Sequence, residues 1–183
     1  MTQIQTNSLF SSTPNVSTLT PNPANPTRLG LPRVWLARAS ATSHDWAATV
    51  ARVVLAGVLF PHGAQHLMGW FGGYGFSGSY GWMTKSLGIP GPAAAFSILF
   101  EFFAPFLLLA GIGGRALGVG FALFMLVAGQ SHAANGFFMN WTNSNPGEGF
   151  EYHLLAAALA VTIALRGSGA LSIDRLIERS KRA

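Results

Sequence analysis

The chain contains no cysteine and few charges: only 9% of its 183 residues are Asp, Glu, Lys or Arg. Without cysteine it has no disulfides, no thiolate metal sites and no cysteine nucleophile. Soluble domains carry about 25% charged residues. This deficit, a hydrophobic content of 50% and a mean hydropathy of +0.37 indicate a polytopic membrane protein. The net charge of +5 lies mostly near the two ends of the chain, where it bears on membrane orientation and predicts no nucleic-acid partner.

Sequence motifs for the common cofactors are also missing. The chain has no HExxH, no CxxC, no glycine-rich phosphate loop after a strand and no haem-attachment motif. It has no recognisable flavin motif, and without cysteine it has no ligands for an iron–sulfur cluster. The sequence therefore predicts no electron carrier of its own and contains no metal-binding motif, although bis-histidine haem ligation stays open.

Four apolar segments approach the ~20 residues that a hydrocarbon core of ~30 Å requires. They cover about residues 46–70, 92–111, 115–134 and 151–165, the fourth being the shortest. None has the charged outer face that a helix bundle in water would need. The fold class is therefore all-α: a polytopic membrane protein with a four-helix transmembrane bundle in residues 44–166.

The flanks of this bundle predict its orientation. Residues 1–43 are rich in Thr, Asn, Ser and Pro and predict a disordered tail without a signal peptide, and residues 167–183 form a basic tail. Basic residues precede the first helix, follow the fourth and occupy the turn between the second and third (Arg28, Arg33, Arg38, Arg115, Arg166, Arg175, Arg179, Lys181, Arg182). The other two loops hold only Lys85 as a basic residue. Because basic residues stay inside, both termini are predicted to be cytoplasmic, in a multi-pass protein of the inner (plasma) membrane.

Small residues recur every four positions in the third and fourth segments, as Gly114, Gly118 and Ala122 and as Ala156, Ala160 and Ala164. This spacing lets membrane helices approach closely. It predicts helix packing within the bundle, and a homo-oligomer interface is the alternative. The two outer loops, 71–90 and 136–150, are rich in aromatic residues. These rings form either a belt at headgroup level or the walls of a mouth over polar residues below.

Titratable residues collect toward the outer side of the bundle. In RVVLAGVLFPHGAQHLMGWFGG (52–73), His62 and His66 are four residues apart and share a helix face. Glu101 falls near the bilayer midplane, where a carboxylate costs roughly 2.5–3.5 kcal/mol, so it should face inward, either protonated or paired with His62, His132 or Arg52. Arg52 itself is close enough to the cytoplasmic surface to snorkel.

All four helices contribute to this polar region. Its members are His62, Gln65, His66, Glu101, Gln130, His132, Asn135, Glu151 and His153. Three chemistries fit such a cluster. Imidazole and carboxylate groups can bond a quinone or quinol and move its proton, they can supply metal ligands, or they can form a purely structural polar network.

Six sequence features, taken together, resemble the DoxX family of small bacterial membrane proteins. They are PHGAQHLMGWFGGYGFSG, KSLGIPGP, Glu101, SHAANGFF, EYHLL and GSGALSIDRL, in order from Thr49 to Ile177. The resemblance implies a four-helix membrane bundle and a link to membrane oxidoreductases such as terminal quinol oxidase and thiosulfate:quinone oxidoreductase. It implies site positions at His62, Gln65, Glu101, His132, Glu151 and Tyr152. The chain departs from the family at His66, where the family has Lys, and at Ala104–Pro105, where a Gly pair is common.

The leading hypothesis is an accessory or quinone-interacting component of a membrane oxidoreductase system, with partner subunits. Glu101, His62 and His132 would carry the proton chemistry, and Gln65, His66, Glu151 and Tyr152 would hold a quinone or quinol. One alternative is a non-catalytic scaffold that stabilises partner subunits. Another is a small-molecule or proton-coupled transporter, against which the chain shows no internal repeat.

Overall fold

The computed structural model describes residues 41–180, and all regular structure in that range is helical. Six α-helices follow one another there: α1 (Trp46–Met68), α2 (Gly75–Lys85), α3 (Gly91–Ala110), α4 (Gly114–His132), α5 (Glu151–Arg166) and α6 (Ile173–Ser180). Short 3-10 turns follow α1 and α4. The all-α prediction is confirmed for this range. The disordered tail predicted for residues 1–43 lies, except for its last three residues, outside the described part of the chain.

Three helices within residues 41–180 are long and apolar enough to cross a membrane. They are α1, α3 and α4, the last together with its 3-10 turn. Their outer faces expose apolar side chains such as Val53, Phe103 and Leu123. Helix α5 has 16 residues, which is about 24 Å at 1.5 Å per residue and shorter than the ~30 Å core. The membrane prediction is confirmed, and the crossing by α5 stays a prediction.

The helices pack in two pairs, α1 with α3 and α4 with α5, and α1 also contacts α5 to join the pairs. The core between them is apolar and closely packed, with Leu55, Leu59, Leu108, Phe121 and Ile163 almost fully buried. A Cβ atom added at Gly118 would lie 2.5 Å from the backbone nitrogen of Ala164. The small-residue stripes of α4 and α5 therefore face each other, as predicted for packing inside the bundle.

One end of the molecule, which we call the Arg52 end, is closed by residues 167–180. Arg52 is 1% exposed, so the expectation that it snorkels to the surface is wrong. Its guanidinium donates to the carbonyls of Leu108 and Ser168 at 2.8 Å and also to those of Leu109 and Leu171. The fork of guanidinium donors thus binds two carbonyls in the last turn of α3, where helix carbonyls lack the usual donor four residues on. The Leu108 carbonyl also accepts from the backbone N–H of Gly111.

Asp174 supplies the acidic half of this closure. It is 3% exposed, and its carboxylate accepts hydrogen bonds from the backbone N–H groups of Gly113 and Gly114 and from the Ser168 hydroxyl. These N–H groups begin α4, so a carboxylate there also meets the positive end of the helix dipole. The segment predicted only as a basic tail is therefore, as far as residue 180, packed onto the helix ends.

The start of α1 is tied to the end of α5. Asp45 caps α1 by accepting from the backbone N–H of Ala48, and it pairs with Arg166 at 2.7 Å. The hydrogen bond from Arg166 is the largest of the influences that hold the pKa of Asp45 below its ordinary value. Both contacts favour the ionised carboxylate, as expected for an acidic residue at a helix N-terminus.

The close approach of α1 and α3 depends on Gly63. A Cβ atom at this position would lie 2.5 Å from the carbonyl oxygen of Glu101 and 2.6 Å from the Cα of Phe102. Because these are backbone atoms, the two helices would have to separate to admit a side chain.

We therefore expect Gly63→Ala to lower the free energy of unfolding by about 1–3 kcal/mol, the usual cost of overpacking. Gly57 on the same helix is the matched control, because a Cβ atom there meets nothing within 4 Å. Gly57→Ala should leave stability unchanged or raise it slightly. Unfolding by sodium dodecyl sulfate in mixed micelles measures both, and equal stability of the two variants would contradict the proposed close contact.

Candidate functional site

The opposite end of the molecule holds a cavity of about 640 Å³ between α1, α2, α3, α4 and α5. Helix α2 forms one wall, although its glycine-rich sequence was expected to be a loop. The apolar lining includes Trp82, Met83, Ile89, Phe124 and Met125. The polar lining consists of His62, His66, Ser79, Ser97, Glu101, Ser131, His132, Glu148, Tyr152 and His153. Five of the seven sequence-predicted site residues line this cavity, namely His62, His66, Glu101, His132 and Tyr152.

Glu101 is a buried carboxylate in the lining of this cavity. It is the eleventh residue of the 20-residue α3 and is 4% exposed, so it faces the interior as expected. Its Oε2 atom lies 2.6 Å from Nδ1 of His66. The expected partners, His62, His132 and Arg52, are therefore wrong. The partner is His66, so the carboxylate faces a group that can gain or lose its charge.

The contact between α1 and α3 explains this pairing. Gly63 places the α1 backbone directly against the backbone of Glu101, and His66 lies about one turn further along α1. The imidazole therefore meets the carboxylate at the point where the two helices cross. Within residues 41–180, His66 is the residue of α1 whose side chain forms a hydrogen bond with the Glu101 carboxylate.

A second polar group lies on the α4–α5 side of the cavity. The rings of His132 and His153 stack with centroids 4.7 Å apart, and the ring of His62 lies 5.6 Å from that of Tyr152. Tyr152 in turn contacts the His153 ring edge to face at 5.4 Å. His62, His132 and Tyr152 thus come together as the sequence suggested, but they form a cluster of rings and not a set of ligands around Glu101.

Three buried polar atoms of the cavity lining have no hydrogen-bond partner among residues 41–180. They are the hydroxyls of Ser79 and Tyr152 and the Nδ1 atom of His153. An unsatisfied buried polar group costs about 1–3 kcal/mol, so such groups are rare unless a ligand or water meets them. Their concentration around one cavity indicates a site that binds a molecule with polar atoms.

Gln65 and Glu151 do not line the cavity. The Gln65 side-chain amide donates to the Phe71 carbonyl at 3.2 Å, and the Glu151 carboxylate accepts from the backbone N–H of Met139 at 3.2 Å. Both side chains therefore hold the outer loops against the helix ends. Neither side chain lines the cavity itself, but Glu151 positions Met139, which does.

Ser79 and His153 are site residues that sequence reasoning did not select. His153 follows the selected Tyr152 directly and was already part of the polar region. Its position next to Tyr152 was therefore a signal that could have added it to the predicted site. Ser79 gave no signal, because its role depends on α2 being a helix that closes the cavity. Within residues 41–180, no group of three or more His, Asp or Glu side chains is placed to hold a metal ion.

The comparisons with known proteins point to one family. No curated protein and no solved structure matches the chain. The family model for DoxX matches residues 47–141, which is 95 of the 183 residues and spans α1 to α4. The similarity seen in EYHLL and GSGALSIDRL lies beyond this range. Because the match covers more than half of the chain, the protein belongs to the DoxX family.

Proposed function

We propose that the cavity binds a quinone or quinol and that the protein is a quinone-interacting component of a membrane oxidoreductase system. The observation that carries this proposal is the set of unpartnered buried groups, Ser79, Tyr152 and His153, around a cavity with apolar and aromatic walls. A quinone has two carbonyl oxygens on an apolar ring, and it requires hydroxyl or imidazole donors within such walls.

The size and position of the cavity support this ligand class. Its volume of about 640 Å³ lies within the ~300–1,000 Å³ typical of small-molecule sites. Its lining continues to side chains on the outer surface, where Tyr74 and Val127 are exposed. Val127 belongs to a membrane-spanning helix. A ring held inside could therefore leave its isoprenoid tail among the lipid chains.

The His66–Glu101 pair supplies the proton chemistry in this proposal. Quinol and quinone differ by two protons and two electrons, and a hydrogen-bonded imidazole and carboxylate can accept or return a proton at a ligand oxygen. The chain has no sequence motif for an electron carrier, so we assign the electrons to a cofactor on a partner subunit.

We also propose four membrane crossings with both termini on the cytoplasmic side of the inner membrane. Arg115, Arg166, Arg175 and Arg179 lie at the Arg52 end, whereas Lys85 is at the cavity end. Basic residues favour the cytoplasmic side. In this orientation the cavity opens toward the outer leaflet.

The first test measures the binding of a short-chain ubiquinone analogue to the purified protein. The readout is the quenching of the protein's tryptophan fluorescence by the bound analogue. We expect Tyr152→Phe, which removes only the unpartnered hydroxyl, to weaken binding about 5–10-fold, as one hydrogen bond of ~1–1.5 kcal/mol implies. Tyr80→Phe is the matched control, because Tyr80 packs near Met83 and Ile98 and does not line the cavity.

The two variants distinguish a site from a general effect of hydroxyl loss. Equal affinities of Tyr152→Phe and wild type would show that the analogue does not reach the Tyr152 hydroxyl. If the wild-type protein binds no analogue at all, the quinone proposal is wrong, and the non-catalytic scaffold becomes the better hypothesis.

A further inference from the structure

Helix α6 turns an unpartnered apolar face away from the rest of the molecule. Leu176 is 63% exposed and Ile177 43% exposed, and Ile173 and Leu171 are exposed beside them. Positions 173, 176 and 177 lie on one face of a helix. A contiguous exposed apolar face of this kind marks an interaction surface.

The orientation of this face is fixed by the contacts on the other side of α6. Asp174 is held by the N–H groups of Gly113 and Gly114 and by the Ser168 hydroxyl. The carbonyl of Leu171 accepts from the buried Arg52. Because one anchor precedes α6 and the other lies in its first turn, these contacts hold α6 with its apolar side chains turned away from the protein.

The position of α6 places this face at the level of a membrane surface. It packs against the turn that joins the membrane-spanning helices α3 and α4, at the Arg52 end. Trp46, the first residue of α1, is exposed at the same end. Tryptophan is enriched at the boundary between lipid and water, so the end of α1 and the face of α6 meet the bilayer at similar depth.

The charges around α6 determine which lipid fits. Arg175, which is half-buried, and Arg179, which is exposed, belong to α6 together with Glu178, and the sequence continues with Lys181 and Arg182. Asp174, the acidic residue of its first turn, is buried and already holds backbone N–H groups. A basic amphipathic helix next to a membrane span is typical of binding to anionic lipid headgroups.

We propose that α6 lies in the membrane interface, with its apolar face among the acyl chains and its arginines on anionic phospholipid headgroups. This proposal is independent of the quinone site, because it rests on the opposite end of the molecule. It requires only the membrane-spanning helices and the anchored α6.

The absence of cysteine permits a direct test in the full-length chain. Leu176→Cys carries a nitroxide label on the apolar face, and Arg179→Cys carries the same label on the polar side as the matched control. Each variant is placed in nanodiscs of phosphatidylcholine alone or with phosphatidylglycerol. Collision rates with oxygen, which dissolves in lipid, and with a water-soluble nickel chelate are then measured.

We expect the label at Leu176 to collide several-fold more with oxygen relative to nickel than the label at Arg179, and to move deeper when phosphatidylglycerol is present. Equal collision ratios for the two labels would show that both faces meet water and would overturn the proposal. A Leu176 label whose depth is the same in both lipid mixtures would overturn the assignment of anionic headgroups. Native folding of each labelled variant is checked by its helical circular dichroism.

Discussion

Replacing Arg52 with methionine is expected to lower the free energy of unfolding by about 3–5 kcal/mol. The guanidinium bonds four backbone carbonyls at the Arg52 end, and it is 1% exposed. Each buried carbonyl left without a donor costs about 1–3 kcal/mol before the structure relaxes. The expected loss of stability is large because one side chain joins the end of α3 to residues 168–171, so all of these contacts are lost together.

Two further variants separate the geometry of this contact from its charge. Arg52→Lys keeps the cation but lacks the planar fork that reaches several carbonyls, so we expect a loss between those of methionine and wild type. Lys85→Met removes an exposed cation of α2 and should change stability by less than about 0.5 kcal/mol. Unfolding in mixed micelles, followed by fluorescence of the five tryptophans, measures all three. A methionine variant as stable as wild type would show that water satisfies these carbonyls.

The long helices could be predicted because their signal is local. An apolar run of about 20 residues specifies a membrane helix wherever its partners lie, and the predicted bounds differ from those of α1, α3, α4 and α5 by at most two residues. Helix α1 ends earlier than expected because Gly69 adopts a left-handed conformation with φ of 73°. Helix α2 was missed because its three glycines favour a loop in the absence of tertiary contacts.

The surroundings of Arg52 and Glu101 could be predicted only in part. The high cost of a charge in the membrane indicates correctly that Glu101 faces inward. Its partner depends on where α1 and α3 cross, which is at Gly63. The sequence gives how far along each helix a residue lies, but not the point at which two helices cross. The partners of Arg52 are carbonyls 56 to 119 residues away in the sequence. Every residue has a carbonyl, so no side-chain pattern marks the ones that will accept.

Glu101→Gln is expected to weaken binding of the quinone analogue by about 10–100-fold, or about 1.4–2.8 kcal/mol. The variant keeps the size of the side chain but replaces the carboxylate that His66 contacts at 2.6 Å, and charge-assisted bonds are the stronger ones. Glu151→Gln is the matched control. Its carboxylate does not line the cavity and accepts from the Met139 N–H, and the amide oxygen of Gln can still accept that bond. Binding should therefore be unchanged.

The pairing with His66 makes a second, sharper prediction from the same experiment. If the two side chains act as a unit, His66→Gln combined with Glu101→Gln should bind no more weakly than Glu101→Gln alone, because the second change removes a contact already lost. His66→Lys places a permanent cation beside Glu101. It should flatten the change of affinity with pH that a titratable imidazole gives the wild-type protein. Additive losses in the double variant would mean that His66 and Glu101 contribute separately. A pH profile identical in wild type and His66→Lys would place the titrating group elsewhere in the cavity.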